Sequence, residues 1–171
     1  MVNYRRQAYG FSLIEVMVVI AILGIAMGIG VPGLQTLLAN QKMKSATFDL
    51  VTTAMLARSE AIKWGGASAA SISIVAPSNN FSNGWCVTFT STTPCNMATP
   101  DDGVMQIVRP TQDVTYVFQG VAAPIVFNRN GRLANANQVR LQVNDSSASA
   151  NSRCVSIDSS GNATIKSGAC S

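Results

Sequence analysis

Between Phe11 and Gly33 a single side chain carries a formal charge, Glu15. The run around it is about twenty apolar residues, the length at which a helix spans a bilayer core. A carboxylate in hydrocarbon costs several kcal/mol on any scale, so an intramembrane Glu is a functional residue that needs a partner. The alternative is an ordinary single-span anchor whose Glu reaches back to the interface.

Other residue types capable of chemistry are sparse. The chain has no His, which removes Ser-His-Asp and Cys-His catalysis. Asp101 and Asp102 adjoin Gly103, where Asp serves a turn rather than paired acid and base work. Four Cys without a C-x-x-C pair point to disulfides, not to zinc or thiol redox chemistry, and so to an oxidising periplasm or cell exterior. Of the three connectivities open to them, Cys86–Cys95 with Cys154–Cys170 closes two short loops, each worth about 2 to 3 kcal/mol, and is the one expected. Gly28, Gly30 and Gly33 spell G-x-G-x-x-G, but no strand precedes them and no phosphate site belongs in a membrane segment. These residues imply no enzyme, no cofactor and no metal. Phosphate binding needs clustered cations, and Arg129, Arg132, Arg140 and Arg153 fall in the C-terminal third, without interleaved aromatics.

The elements that hold these residues follow from periodicity. At 171 residues the chain is one domain plus an anchor. A net charge of +4, reduced if Arg5 and Arg6 are lost, creates no strong polyanion field. Gly24, Gly28, Gly30, Pro32 and Gly33 weaken the second half of the apolar run as a helix. Gly24 and Gly28 also form a G-x-x-x-G, which fits close helix packing. From Leu34 to about Trp64, Ala46, Leu50, Ala54, Ala57 and Ala61 recur at helical spacing, with Lys42, Asp49, Glu60 and Lys63 on the polar side, so one face packs on a sheet. Gly65 and Gly66 end this helix as a glycine cap.

Beyond Gly66 the pattern alternates. Strands are predicted at Ser71–Val75, Trp85–Thr90, Val104–Val108, Val114–Phe118, Pro124–Phe127, Val139–Val143, Cys154–Ile157 and Ala163–Lys166. Turns are predicted at Asn83-Gly84, Asp102-Gly103, Asn130-Gly131 and Ser160-Gly161. Trp85, Val87 and Phe89 share a core face. The run Asn144–Ser152 reads as a loop. The expectation is an α+β chain, a helix laid on one antiparallel sheet or on two small ones.

The N-terminus resembles the type IV prepilin leader: a polar segment with Arg5 and Arg6, then Gly10, Phe11, Glu15 four residues on, and an unbroken apolar run. The resemblance implies cleavage after Gly10 by prepilin peptidase, N-methylation of Phe11 and subunit docking through Glu15. The freed Phe11 amine, on the same or a neighbouring subunit, then supplies the cation that offsets much of the burial cost of Glu15. Gly24 and Pro32 would bound a stretch that melts when subunits pack. Ala57-Arg58-Ser59-Glu60-Ala61 is similar to a run of one minor-pilin family, although a helix face with a solvated Arg and Glu explains it equally well. Phe127-Asn128-Arg129-Asn130-Gly131-Arg132 and Val155-Ser156-Ile157-Asp158-Ser159-Ser160-Gly161 resemble the C-terminal pattern of the GspH/FimT family.

That family implies a type IV pilin fold: leader 1–10, transmembrane helix 11–33, amphipathic helix 34–65 on the sheet, and a periplasmic β domain 66–171 with two disulfides, the second stapling the C-terminal loop. It implies an inner-membrane subunit later incorporated into a pilus or pseudopilus at the cell surface. The expected function is that of a minor pilin that helps initiate the pilus and joins other minor pilins to the major pilin. A minor pseudopilin of type II secretion and a DNA-binding minor pilin for natural transformation are the alternatives. DNA-binding members carry G-R-x-R near the C-terminus. The turns here read Gly131-Arg132-Leu133-Ala134 and Gly161-Asn162-Ala163-Thr164, so neither completes it, and DNA contacts through Arg129, Arg132 and Arg140 are not favoured.

Overall fold

The structure is a computed structural model that describes residues 11–65, 71–99, 102–120, 124–134, 137–146 and 152–171. The leader, including Gly10, together with Gly66 and Asp101, lies outside these residues. One helix, α1, runs Leu13–Lys63. Its start, Ser12-Leu13-Ile14-Glu15, has the S-x-x-E pattern of a capping box, with the Glu15 carboxylate in the first turn beside the unpaired amides.

The chain divides into two compact units, residues 1–38 and 39–171. In the first, the helix is apolar on every side, and the described side chains from Phe11 to Leu38 are exposed. Among the described residues no single helix is long and apolar enough to cross a membrane; the segments Leu13–Gly28 and Gly33–Lys63, bent at residues 29–32, satisfy that test together. The bend falls where Gly28, Gly30 and Gly33 lower helix propensity.

In the second unit, eight strands form two four-stranded sheets. They are β1 Ile72–Val75, β2 Trp85–Thr88, β3 Val104–Val108, β4 Val114–Phe118, β5 Ile125–Phe127, β6 Gln138–Asp145, β7 Ser152–Asp158 and β8 Ala163–Ser167. The sheet orders are β3-β2-β1-β5 and β4-β6-β7-β8, and every pairing is antiparallel. One core joins Met43, Ala46, Leu50, Ala54, Ala57 and Ala61 of α1 to the inward residues of both sheets. The alanines are fully buried, and their small side chains let the sheets approach the helix axis closely.

Polar ties fix this packing. The indole Nε1 of Trp85 donates to Thr53 Oγ1 (3.1 Å), and the Tyr116 hydroxyl donates to the Ala46 carbonyl (3.3 Å). Phe81 stacks on Trp85 at 5.6 Å, and Tyr116 meets Trp85 edge-on at 5.2 Å. Trp85 and Val87 belong to this core and Phe89 packs on its rim, while Cys86 and Thr88 on the other face of β2 are buried as well.

Two local expectations change. Asn144, Asp145 and Ser152, read as loop, belong to strands: β6 and β7 run on until Asn144 lies opposite Ser152. Backbone pairing sets those ends, and polar side chains on a rim do not oppose it. Gly65 ends the helix without adopting the left-handed geometry of a glycine cap. Its amide closes a tight turn onto the Ile62 carbonyl (3.3 Å), and a Cβ there would stand 2.8 Å from the Arg129 carbonyl oxygen. Glycine is needed at Gly65 because another backbone passes close by.

Candidate functional site: the N-terminal helix and the turns at its far end

Phe11 and Glu15 fall on one side of the helix start, where they line a shallow groove with Val16 and Val19. Both are exposed, as are Leu13, Ile14, Ile20, Ile22, Ile25 and Met27 around the whole circumference. A helix apolar all round is buried in its working state, in lipid or among other helices. A Cβ added at Gly24, Gly28, Gly30 or Gly33 would touch nothing, so no packing within this chain requires glycine there. Pro32 lies inside α1.

The role of Arg58 has no local signature. Instead of a solvated surface cation, it is half-buried, its stem packed against the turn residues Gly131 and Gly161. Those turns belong to the connections β5–β6 and β7–β8, and they touch: the Leu133 amide donates to the Ser159 carbonyl at 3.3 Å. Asn128 Oδ1 accepts from the Asn130 amide (3.0 Å) and the Arg132 amide (3.1 Å). Asp158 Oδ1 accepts from the Ser160 hydroxyl and amide and from the Asn162 amide. The Ser160 hydroxyl, then the Asn162 amide, with the Arg58 charge adding to them, hold the Asp158 carboxyl below its ordinary value. Burial pushes the Tyr116 hydroxyl well above the usual range, and the charge of Asp49 adds to it.

Glu60 accepts from the Trp64 indole N–H at 3.0 Å and pairs with Lys63 at 3.4 Å. Thus Ala57 and Ala61 face the core, Arg58 packs on the two turns, and Glu60 ties the end of its own helix to Trp64. Arg129 and Arg132 are exposed on the same short turn, whereas Arg140 belongs to β6 on another surface. The structure contains the disulfides Cys86–Cys95 and Cys154–Cys170. Among the described residues no cluster of His, Cys, Asp or Glu could hold a metal.

A long N-terminal helix, apolar all round at first and then built into the core of an antiparallel β domain, is the type IV pilin fold. Two solved structures share it, both of the type IV minor pilin FimU of Pseudomonas aeruginosa strain PAO1. One, in space group P21, matches with a TM-score of 0.59 at 17% identity, over 74% of this chain and 90% of that one. The other, in space group P65, gives 0.56 at 18% identity, over 72% and 91%. No curated protein matches the chain. A prokaryotic N-terminal methylation motif matches residues 5–31, and the family described as Type II transport protein GspH matches residues 46–161. The chain belongs to this GspH family of type IV pilin-like proteins, which are structural subunits and not enzymes.

Proposed function

We propose that this chain is a minor pilin of the FimU kind, which helps initiate a type IV pilus and links other minor pilins to the major pilin. The observation that carries the reading is the first unit: a helix exposed on every side, with Glu15 as its sole charge before Gly33. Only membrane or neighbouring subunits can cover such a surface. On this reading prepilin peptidase cuts after Gly10, Phe11 becomes the methylated N-terminus, and its amine meets Glu15 as the subunit docks. Gly24 and Pro32 bound the stretch that unwinds on packing, and the β domain faces the periplasm until the subunit enters the filament. The shared fold with FimU supports the choice of machine.

The match to Type II transport protein GspH favours a second reading, a minor pseudopilin of a type II secretion system. Deletion of the gene separates the two. The minor-pilin reading expects sheared surface pili to fall sharply while secreted enzymes stay at wild-type levels. The opposite pattern assigns the chain to secretion.

A further inference from the structure

The first sheet is edged by β3 and β5, the second by β4 and β8. An edge strand presents a row of unpaired amides and carbonyls on which another chain can build, so folded proteins cover or distort such edges. On β5 the Val126 carbonyl accepts from the Ala134 amide at 2.8 Å, and Phe127 bridges to Leu133. On β4 the Tyr116 amide donates to Ser82 Oγ at 3.0 Å. The pairing of β3 with β2 slips in register between Val87 and Thr88, an irregularity that spoils the edge as a flat template.

The β8 edge is regular and bare. Its two ends fix the hydrogen-bonding phase: the Gly168 amide donates to the Ser152 carbonyl at 2.9 Å, and the Asp158 amide donates to the Asn162 carbonyl at 3.1 Å. That phase repeats every second residue, so Thr164 and Lys166 bond to β7 while the amides and carbonyls of Ala163, Ile165 and Ser167 point away from it. Among the described residues none of these outward groups has a hydrogen-bond partner. After Gly168 the Cys154–Cys170 disulfide draws the chain back over β7, away from the edge. Ile165 stands opposite Val155 on the inner face, yet it is 40% exposed, an apolar side chain at the open margin of the sheet.

We propose that the β8 edge is a docking strand, which takes an extended, acidic segment of a neighbouring subunit as an added strand. The main-chain groups set the occupant, since a row of donors and acceptors at every second residue is matched by extended backbone. Alternation then places an apolar side chain of that segment beside Ile165. The charged residues of β8 and of the adjoining Ser152–Ile157 stretch are Lys166 and Arg153, with no carboxylate among them, so an acidic segment complements this margin. The source of the segment, a companion subunit, rests on the assembly reading; the open edge does not.

Hydrogen exchange of the full-length chain in detergent, read amide by amide, tests it, alone and with each purified full-length companion pilin and pseudopilin of the same cell. With at least one companion, exchange at Ile165 and Ser167 should slow by about tenfold or more, while the Tyr116 amide on the covered β4 edge is unchanged. Ile165→Pro removes an outward N–H and none that β7 uses, so it should weaken that companion's binding by about tenfold or more. The wild-type exchange decides the matter without this variant if the variant fails to fold. Slow exchange of the same amides in the chain alone, deepening with protein concentration, would assign the edge to a second copy and overturn the proposed partner. Binding of a companion without protection of these amides, or no binding by any companion, would overturn the docking strand. The assembly reading is decided separately, by whether deletion of the gene removes surface pili.

Discussion

The stem of Arg58 is the spacer against which Gly161 packs: a Cβ built on Gly161 would stand 3.3 Å from Arg58 Cδ and 2.2 Å from the Gly131 carbonyl oxygen. The side chain of a helix residue, the turn that joins the two sheets and a hairpin turn of the second sheet therefore meet with no room for one more carbon.

Gly161→Ala is expected to be among the most destabilising single changes in the β domain. It forces a side chain into backbone at φ +80 and against that carbonyl, which together cost roughly 2 to 4 kcal/mol. Thermal unfolding of the variant should show a drop of many degrees. Gly24→Ala, which meets nothing, should leave the unfolding temperature of the β domain unchanged.

Arg58→Met keeps an unbranched stem and loses the charge, whereas Arg58→Ala loses both. Packing by the stem predicts that the Ala variant loses about 1 to 2 kcal/mol and the Met variant less than half of that. Urea titrations compare them. Equal losses would assign the role to the charge.

Asp158 gives the turn a pH dependence with a definite sign. Its folded carboxyl titrates below the ordinary value, so its contribution is complete above that ordinary value and disappears as the pH falls through the lowered one. Between pH 7 and 5 the difference in stability between wild type and Asp158→Asn should be constant. Below about pH 4, where the free carboxyl also takes up protons, the difference should shrink. A difference that grows on acidification would contradict the hydrogen-bonding account.

Thr53→Val leaves the buried Trp85 N–H without its acceptor, a change that costs about 1 to 3 kcal/mol. Loss of the 16-residue loop staple in Cys154→Ser/Cys170→Ser should cost about 2 to 3 kcal/mol. The two sites share no partner, so the triple variant should lose the sum. Denaturant midpoints of the single, double and triple variants measure this.

The fold was largely legible because its signals are local. Val104–Val108 and Val114–Phe118 begin and end where alternation does, between turn glycines. The helix face was given by the spacing of Ala46, Leu50, Ala54, Ala57 and Ala61. What the residues withheld depends on distant chain. Pairing of β1 with β5 joins segments far apart in sequence, so the division into two sheets has no local signature. Arg58 reads as a surface cation until Gly131 and Gly161 are placed beside it, and Gly65 reads as a cap until the Arg129 backbone is. Of the arginines considered for DNA, Arg129 and Arg132 share a turn, while Arg140 faces a recess with Lys166. That division is set by β6 register and carries no mark in composition.

Docking through Glu15 is the step on which the proposed assembly role depends. The direct measurement is the fate of Glu15→Ala expressed in place of wild type, with mass spectrometry of the membrane-bound chain and immunodetection in sheared filaments. Docking through Glu15 predicts normal leader removal and methylation at Phe11, normal membrane levels, and loss of the variant from filaments. Wild-type incorporation of the processed variant would contradict it.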